Sequence, residues 1–257
     1  MKKLFAVVTL LLAVAVAWAQ PVYAQAQKAV PVEFFACNWQ DGKDMSDLGK
    51  VIEKFGEYAD KNDSGYSAWT LTPQFTNDPD GAFDVGWLGS WPDVAAFGKS
   101  QDNWMSKGGD VAKAFAAVID CSGRHELASS IVLNPPKQVP TDGVVMFYAC
   151  TLNDGKTGED AVAAGSKLVA AMTALGSSPA SWLFFPGLGA GDIDFDYWRV
   201  IAFDNYADLA ASAEVYLNGG GWKKTQEILG PVASCASPAV YDARLARAPK
   251  NLSLIHI

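Results

Sequence analysis

Apolar and polar positions follow two rhythms along this chain, and their succession predicts its elements. Val32 to Cys37 is an apolar run of strand length. After Asp44, residues Met45, Leu48, Val51, Ile52, Phe55 and Ala59 recur at three- and four-residue spacing, which predicts a helix with one buried face. Asp44 is a suitable N-cap with Asp47 three residues on, and Gly65 ends the segment. Ser67 to Phe75 and Phe83 to Trp91 are aromatic, β-favouring runs around Asn77-Asp78-Pro79-Asp80-Gly81, a hairpin signal. Asp93 to Met105 and Asp110 to Ile119 read as helical, broken by Gly108-Gly109, and Leu127 to Leu133 closes as a strand. The order is strand, helix, strand, strand, helix, strand.

The same order then recurs. Phe35-Ala36-Cys37 matches Tyr148-Ala149-Cys150, and in the same register Asp41-Gly42-Lys43 falls on Asp154-Gly155-Lys156, Trp69 on Trp182 and Pro73 on Pro186. With short slips, Phe83-Asp84 meets Phe195-Asp196, Trp91 meets Phe203, Gly108-Gly109 meets Gly219-Gly220 and Cys121 meets Cys235. Thr157 with Asp160 repeats the helix start. So many uncommon residues in nearly one register argue for a tandem repeat. The first copy is placed at residues 25–133 and the second at 144–251, with the proline-rich segment 134–143 as the linker.

Residues 1–24 read as a signal peptide: Lys2 and Lys3, an apolar run from Leu4 to Ala17, then Val22-Tyr23-Ala24 before cleavage. Leu252 to Ile257 reads as translated sequencing adapter, which leaves His125 as the one histidine to consider. Half the residues are apolar and the net charge is −8, more negative once the leader is removed. An acidic chain disfavours nucleic acid and anionic lipid as partners, because both need a basic surface. The expected location is periplasmic or secreted.

The βαββαβ order resembles the ferredoxin-like unit of the dimeric α/β-barrel superfamily. The resemblance covers nearly all of the chain after the leader and is one of architecture, without a family signature motif. It implies an α+β fold in which two ferredoxin-like sheets pack face to face as a pseudo-dimeric α/β barrel, both halves coming from one chain. It also implies an interior able to hold a small hydrophobic molecule. Members include cofactor-free monooxygenases and haem-degrading enzymes. In the 4-1-3-2 sheet of that architecture, the first strand finishes where the last begins. The resemblance therefore implies disulfides Cys37–Cys121 and Cys150–Cys235, as suits an exported chain.

Candidate chemistry is sparse. Asp78, Asp80 and Asp84, and again Asp192, Asp194 and Asp196, have the spacing of a cation loop, but they read better as solvated turn acids. Asp41-Gly42-Lys43 and its counterpart are either an anion contact or a tight turn before a capped helix. Zinc is disfavoured, since no C-x-x-C or histidine cluster exists. Tryptophan is the unusual feature. Trp69, Trp87, Trp91, Trp182 and Trp198, with Arg199, are candidates to line a ligand pocket, or equally to fill a core. His125 is a candidate general base or haem ligand, and no second titratable partner for it is identifiable. No cofactor is implied.

The leading expectation is an exported, non-enzymatic protein holding a small apolar or aromatic ligand between its repeats. The alternatives are a cofactor-independent monooxygenase-like enzyme, with His125, Trp87 and Arg199 as first suspects, and a structural or interaction module with a filled core.

Overall fold

The computed structural model describes residues 28–76, 83–137 and 142–249. The leader, the Asn77–Gly81 turn and the C-terminal hexapeptide lie outside the described residues. The first half runs β1 (Val30–Trp39), α1 (Met45–Lys61), β2 (Ser67–Phe75), β3 (Val85–Ser90), α2 (Val94–Lys107), α3 (Gly109–Ala116) and β4 (Ile119–Asn134). The second runs β5 (Gly143–Leu152), α4 (Gly158–Ala174), β6 (Ala180–Pro186), β7 (Tyr197–Phe203), α5 (Tyr206–Leu217), α6 (Gly221–Ile228), β8 (Ala233–Cys235) and β9 (Ala239–Arg247). The Asp44 carboxylate accepts the amides of Ser46 and Asp47, and Thr157 with Asp160 forms a capping box. Unpaired N–H groups of each first turn are thereby satisfied.

The expected pair of ferredoxin-like sandwiches facing each other is overturned by the strand pairing. The eight long strands form one closed antiparallel barrel, in the ring order β1-β3-β2-β9-β5-β7-β6-β4 and back to β1, with β8 added beside β5. The reason is the edges. Two separate sheets would each expose unpaired backbone groups, and closure removes them. β2 pairs with β9 from Ala68↔Arg247 to Phe75↔Val240, and β4 pairs with β6 from Ala128↔Pro186 to Asn134↔Ser181. β4 is also much longer than the predicted Leu127–Leu133 strand. At 16 residues it pairs with β1 over its first part and with β6 over its last.

Helices cover the outside of the barrel. Beneath α1 and α3, Phe55, Ala59 and Val111 pack on Ala68 and Trp87. Beneath α4 and α6, Ala161, Ala164 and Leu229 pack on Leu183 and Tyr197. Cys37 is bonded to Cys121 and Cys150 to Cys235, each tying the first strand of a half to a strand late in it. No helix among the described residues is long and apolar enough to cross a membrane.

Candidate ligand cavity

Alternation along the strands sorts side chains into the barrel interior or the layer under the helices. Val32, Leu71, Val145, Phe184 and Val200 form the interior cluster, with contributions from all eight strands of the ring. One end of the interior is filled. There Phe147 meets Trp198 at 6.2 Å and Tyr241 at 5.7 Å between ring centroids, Phe34 meets Phe83 at 5.5 Å, and Phe195 meets Trp198 at 4.3 Å. The other end holds a cavity of about 390 Å³, lined on its apolar walls by Val32, Trp69, Leu71, Val145, Trp182 and Phe184. Lys137, Asp142, Asp204 and Asp208 stand exposed around its mouth. That volume falls within the range of small-molecule sites, roughly 300–1,000 Å³.

Trp69 and Trp182 lie on β2 and β6, four places apart in the ring of eight, so they face each other from opposite walls. Their registers correspond: Trp69 pairs with Leu88 and Trp182 with Val200, and both partners line the cavity. A half-turn about the barrel axis therefore relates the two walls.

The remaining tryptophans named from the sequence lie elsewhere. Trp198 points inward but belongs to the filled end. Trp87 and Trp91 are buried under the helices of the first half, at 7% and 3% exposure, and do not line the cavity. Strand parity correctly paired Trp87 against Gly86 and Leu88, but it could not say which side was the interior. Gly86 faces inward, where an added Cβ would lie 2.8 Å from Phe34. Trp87 therefore goes out, edge-on to Phe55 and Phe115. Arg199 also faces out, its guanidinium 5.1 Å from the Tyr148 ring centroid.

His125 is outside the barrel as well, stacked on Phe35 at 3.7 Å. It has a partner that sequence reasoning did not assign. Its Nε2 lies 3.1 Å from Oε2 of Glu33, which is buried, while the imidazole is about half exposed. Tyr66 donates its hydroxyl to the other Glu33 oxygen at 2.5 Å and accepts the Trp87 indole N–H at 2.7 Å. Gly89 makes room for this network, because a Cβ there would collide with the Tyr66 hydroxyl. The sequence signal was a glutamate inside an apolar strand run, a residue that is buried only when paired. The network is a satisfied polar bridge under the helices and is separate from the cavity.

Two of the hairpin aspartates bond backbone amides across the sheet. Asp84 accepts the Trp39 amide at 2.8 Å, and Asp196 accepts the Leu152 amide at 2.7 Å. Asp78 and Asp80 lie outside the described residues. Asp192 and Asp194 are exposed, and no group of three or more His, Cys, Asp or Glu that could hold a metal ion occurs among the described residues. Gly42 and Gly155 take φ of 70° and 73°, and the Lys43 and Lys156 amides close turns onto Gln40 and Asn153. The repeated Asp-Gly-Lys is thus a tight turn, with glycine where the backbone is left-handed.

Burial pushes the Tyr197 hydroxyl up to about 12. The Tyr66 hydroxyl is raised well above its ordinary 10 by burial first and then by the neighbouring Glu33 charge. Both phenols stay neutral in the folded chain where an unfolded tyrosine ionises. Their contribution is complete below pH 10, and for Tyr197 it is lost between 10 and about 12. Urea midpoints measured from pH 9 upward should fall across that interval, and Tyr197→Phe should flatten the fall. A profile as steep in the variant would contradict this.

Comparison with solved structures agrees on the fold. A monooxygenase-like protein of Lactobacillus acidophilus superposes with a TM-score of 0.55 at 10% identity, covering 86% of this chain and 96% of that one. A monooxygenase-like protein of Fusobacterium nucleatum gives 0.54 at 11% identity, covering 86% and 94%. An anthrone oxidase-like protein gives 0.50 at 11%, covering 89% and 98%. These neighbours are dimeric α/β-barrel proteins, consistent with the superfamily that the element order resembles. At such identity the likeness is one of fold alone. No family model and no curated protein sequence matches the chain.

Proposed function

We propose that this is an exported, disulfide-stabilised protein that binds a small apolar or aromatic molecule inside its barrel. The observation that carries the reading is the cavity of about 390 Å³ with Trp69 and Trp182 on opposite walls. A barrel of eight strands is wide enough either to be filled by its own side chains or to hold one small ligand. Here one end is filled by aromatics and the other is open. The two disulfides and the leader-like residues 1–24 support export. The repeated element order supports 25–133 and 144–251 as copies of one unit that together build the site.

Binding of a neutral hydrophobic dye such as Nile red, followed by its fluorescence, tests this. Trp69→Ala and Trp182→Ala should each weaken binding about tenfold, through lost aromatic contact and burial. Equal binding by wild type and both variants would place the dye elsewhere and remove the support.

The fold neighbours favour a second reading, a monooxygenase-like enzyme. His125, Trp87 and Arg199, its first suspects, all lie outside the cavity lining. The titratable groups of that lining are Lys137, Asp142, Asp204 and Asp208 at the mouth. This reading requires oxygen uptake that accompanies loss of the bound molecule, and binding without turnover decides for the first.

A further inference from the structure

The strand walls of the cavity correspond in register but not in chemistry. The strand registers give the correspondence. Val32 pairs with Ser90 in the first half, and Val145 pairs with Ala202 in the second. Likewise Val30 pairs with Ser130, and Gly143 pairs with Ala243. Ser90, Ser130, Ala202 and Ala243 all line the cavity. The wall made by β3, β1 and β4 thus carries two hydroxyls where the opposite wall, made by β7, β5 and β9, carries two methyl groups.

The Ser90 hydroxyl donates to the Pro31 carbonyl at 3.4 Å and keeps its lone pairs for a ligand. Ser130 is buried, at 4% exposure, on a strand shared by both halves, since β4 pairs with β1 and with β6. Ser177, Ser178 and Ser212 also line the cavity, from the loop before β6 and from α5, and the Ser177 and Ser212 hydroxyls bond each other at 2.7 Å. A hydroxyl on the apolar strand wall favours a ligand that hydrogen-bonds it and disfavours one that leaves it unpaired. The charged groups stay at the mouth, so the deep part of the cavity offers nothing to balance a ligand charge.

Building on the proposed ligand-binding role, we infer that the cavity selects a flat, uncharged molecule with one polar edge. Trp69 and Trp182 cover its two sides, its hydroxyl or carbonyl edge is directed at Ser130 with Ser90 beside it, and its apolar edge lies against Ala202 and Ala243. The hydroxyl wall fixes which way round the ligand sits between strand walls that a half-turn relates. Ser130 is then the residue that sets specificity.

Calorimetric titration with 1-naphthol and naphthalene, equal in outline and different by one hydroxyl, tests this. Wild type should bind 1-naphthol about fivefold more tightly, the effect of one net hydrogen bond. Ser130→Ala should remove that preference, weakening 1-naphthol binding while naphthalene binds at least as tightly as to wild type, which also shows that the variant is folded. Equal affinity of wild type for both probes, or a preference that survives Ser130→Ala, would overturn the one-sided wall and leave the cavity as a general apolar site. Failure of wild type to bind either probe would instead remove the ligand-binding reading on which the inference stands.

Discussion

Gly89→Ala should destabilise the protein by about 4 kcal/mol, although alanine suits a strand better than glycine does. The added methyl would occupy the position of the Tyr66 hydroxyl, so the ring must leave. Its departure strips Glu33 of one partner and the Trp87 indole N–H of its acceptor, both in buried surroundings. Unsatisfied buried groups cost about 1–3 kcal/mol each, and overpacking adds a similar amount. Tyr66→Phe isolates the first part and should cost about 2–3 kcal/mol by itself. The collision itself is measured by repeating Gly89→Ala in a Tyr66→Ala background, where the substitution should cost less than about 1 kcal/mol. Denaturant titration of the four proteins gives the coupling. If Gly89→Ala is as damaging without Tyr66, the glycine is needed for some other reason and the network account is wrong.

Removing either disulfide should be comparably severe. Each bond joins cysteines 84 or 85 residues apart. Constraining a loop of that length in the unfolded chain is worth about 4.5 kcal/mol in the chain-entropy model. For a chain of this size the loss corresponds to a fall of about 10 °C in Tm. Cys37→Ala with Cys121→Ala, and Cys150→Ala with Cys235→Ala, should each lower Tm by about that amount, and dithiothreitol should reproduce the loss in the wild type and not in a variant lacking both bonds. A wild-type Tm indifferent to reductant would mean that the bonds contribute nothing to folding. The first strand of each half would then be held by its ladder alone, Cys37 beside Val85 and Cys150 beside Tyr197.

How legible this molecule was in its sequence varied with how local the cause was. The helix at Met45–Lys61 follows from its own apolar spacing and from the Asp44 cap, both contained in a few neighbouring residues. The hairpin β2–β3 follows from two β-favouring runs around a turn. Barrel closure does not, because it depends on whether the free edges of β2 and β4 find each other or find β9 and β6. Those choices are made by backbone groups that every sequence carries. Parity gave the two faces of β3 but not their destinations. The outcome depended on Gly86 yielding interior space to Phe34 and Leu71, while Trp87 filled the gap under α1 and α3.

The site was half legible for the same reason. Trp69 and Trp182 could be matched as repeats of one position, and the structure sets them on opposite walls of the cavity. The Ser90 and Ser130 hydroxyls gave no signal, since serine in a strand is unremarkable until its neighbours across the barrel are known to be Ala202 and Ala243. Glu33 was visible as a charge in an apolar run. Its partners, Tyr66 and His125, lie 33 and 92 residues away, and nothing in composition or spacing connects them.

The account rests on the open end of the barrel being an occupied binding site. Native mass spectrometry of the protein purified from its producing cells, without denaturant or detergent, tests that most directly. The account predicts a population heavier by one small molecule, released on collisional activation and absent from a Trp69→Ala, Trp182→Ala double variant. A wild-type spectrum at the bare polypeptide mass, with a Tm unmoved by the small-molecule fraction of the producing cells, would contradict it.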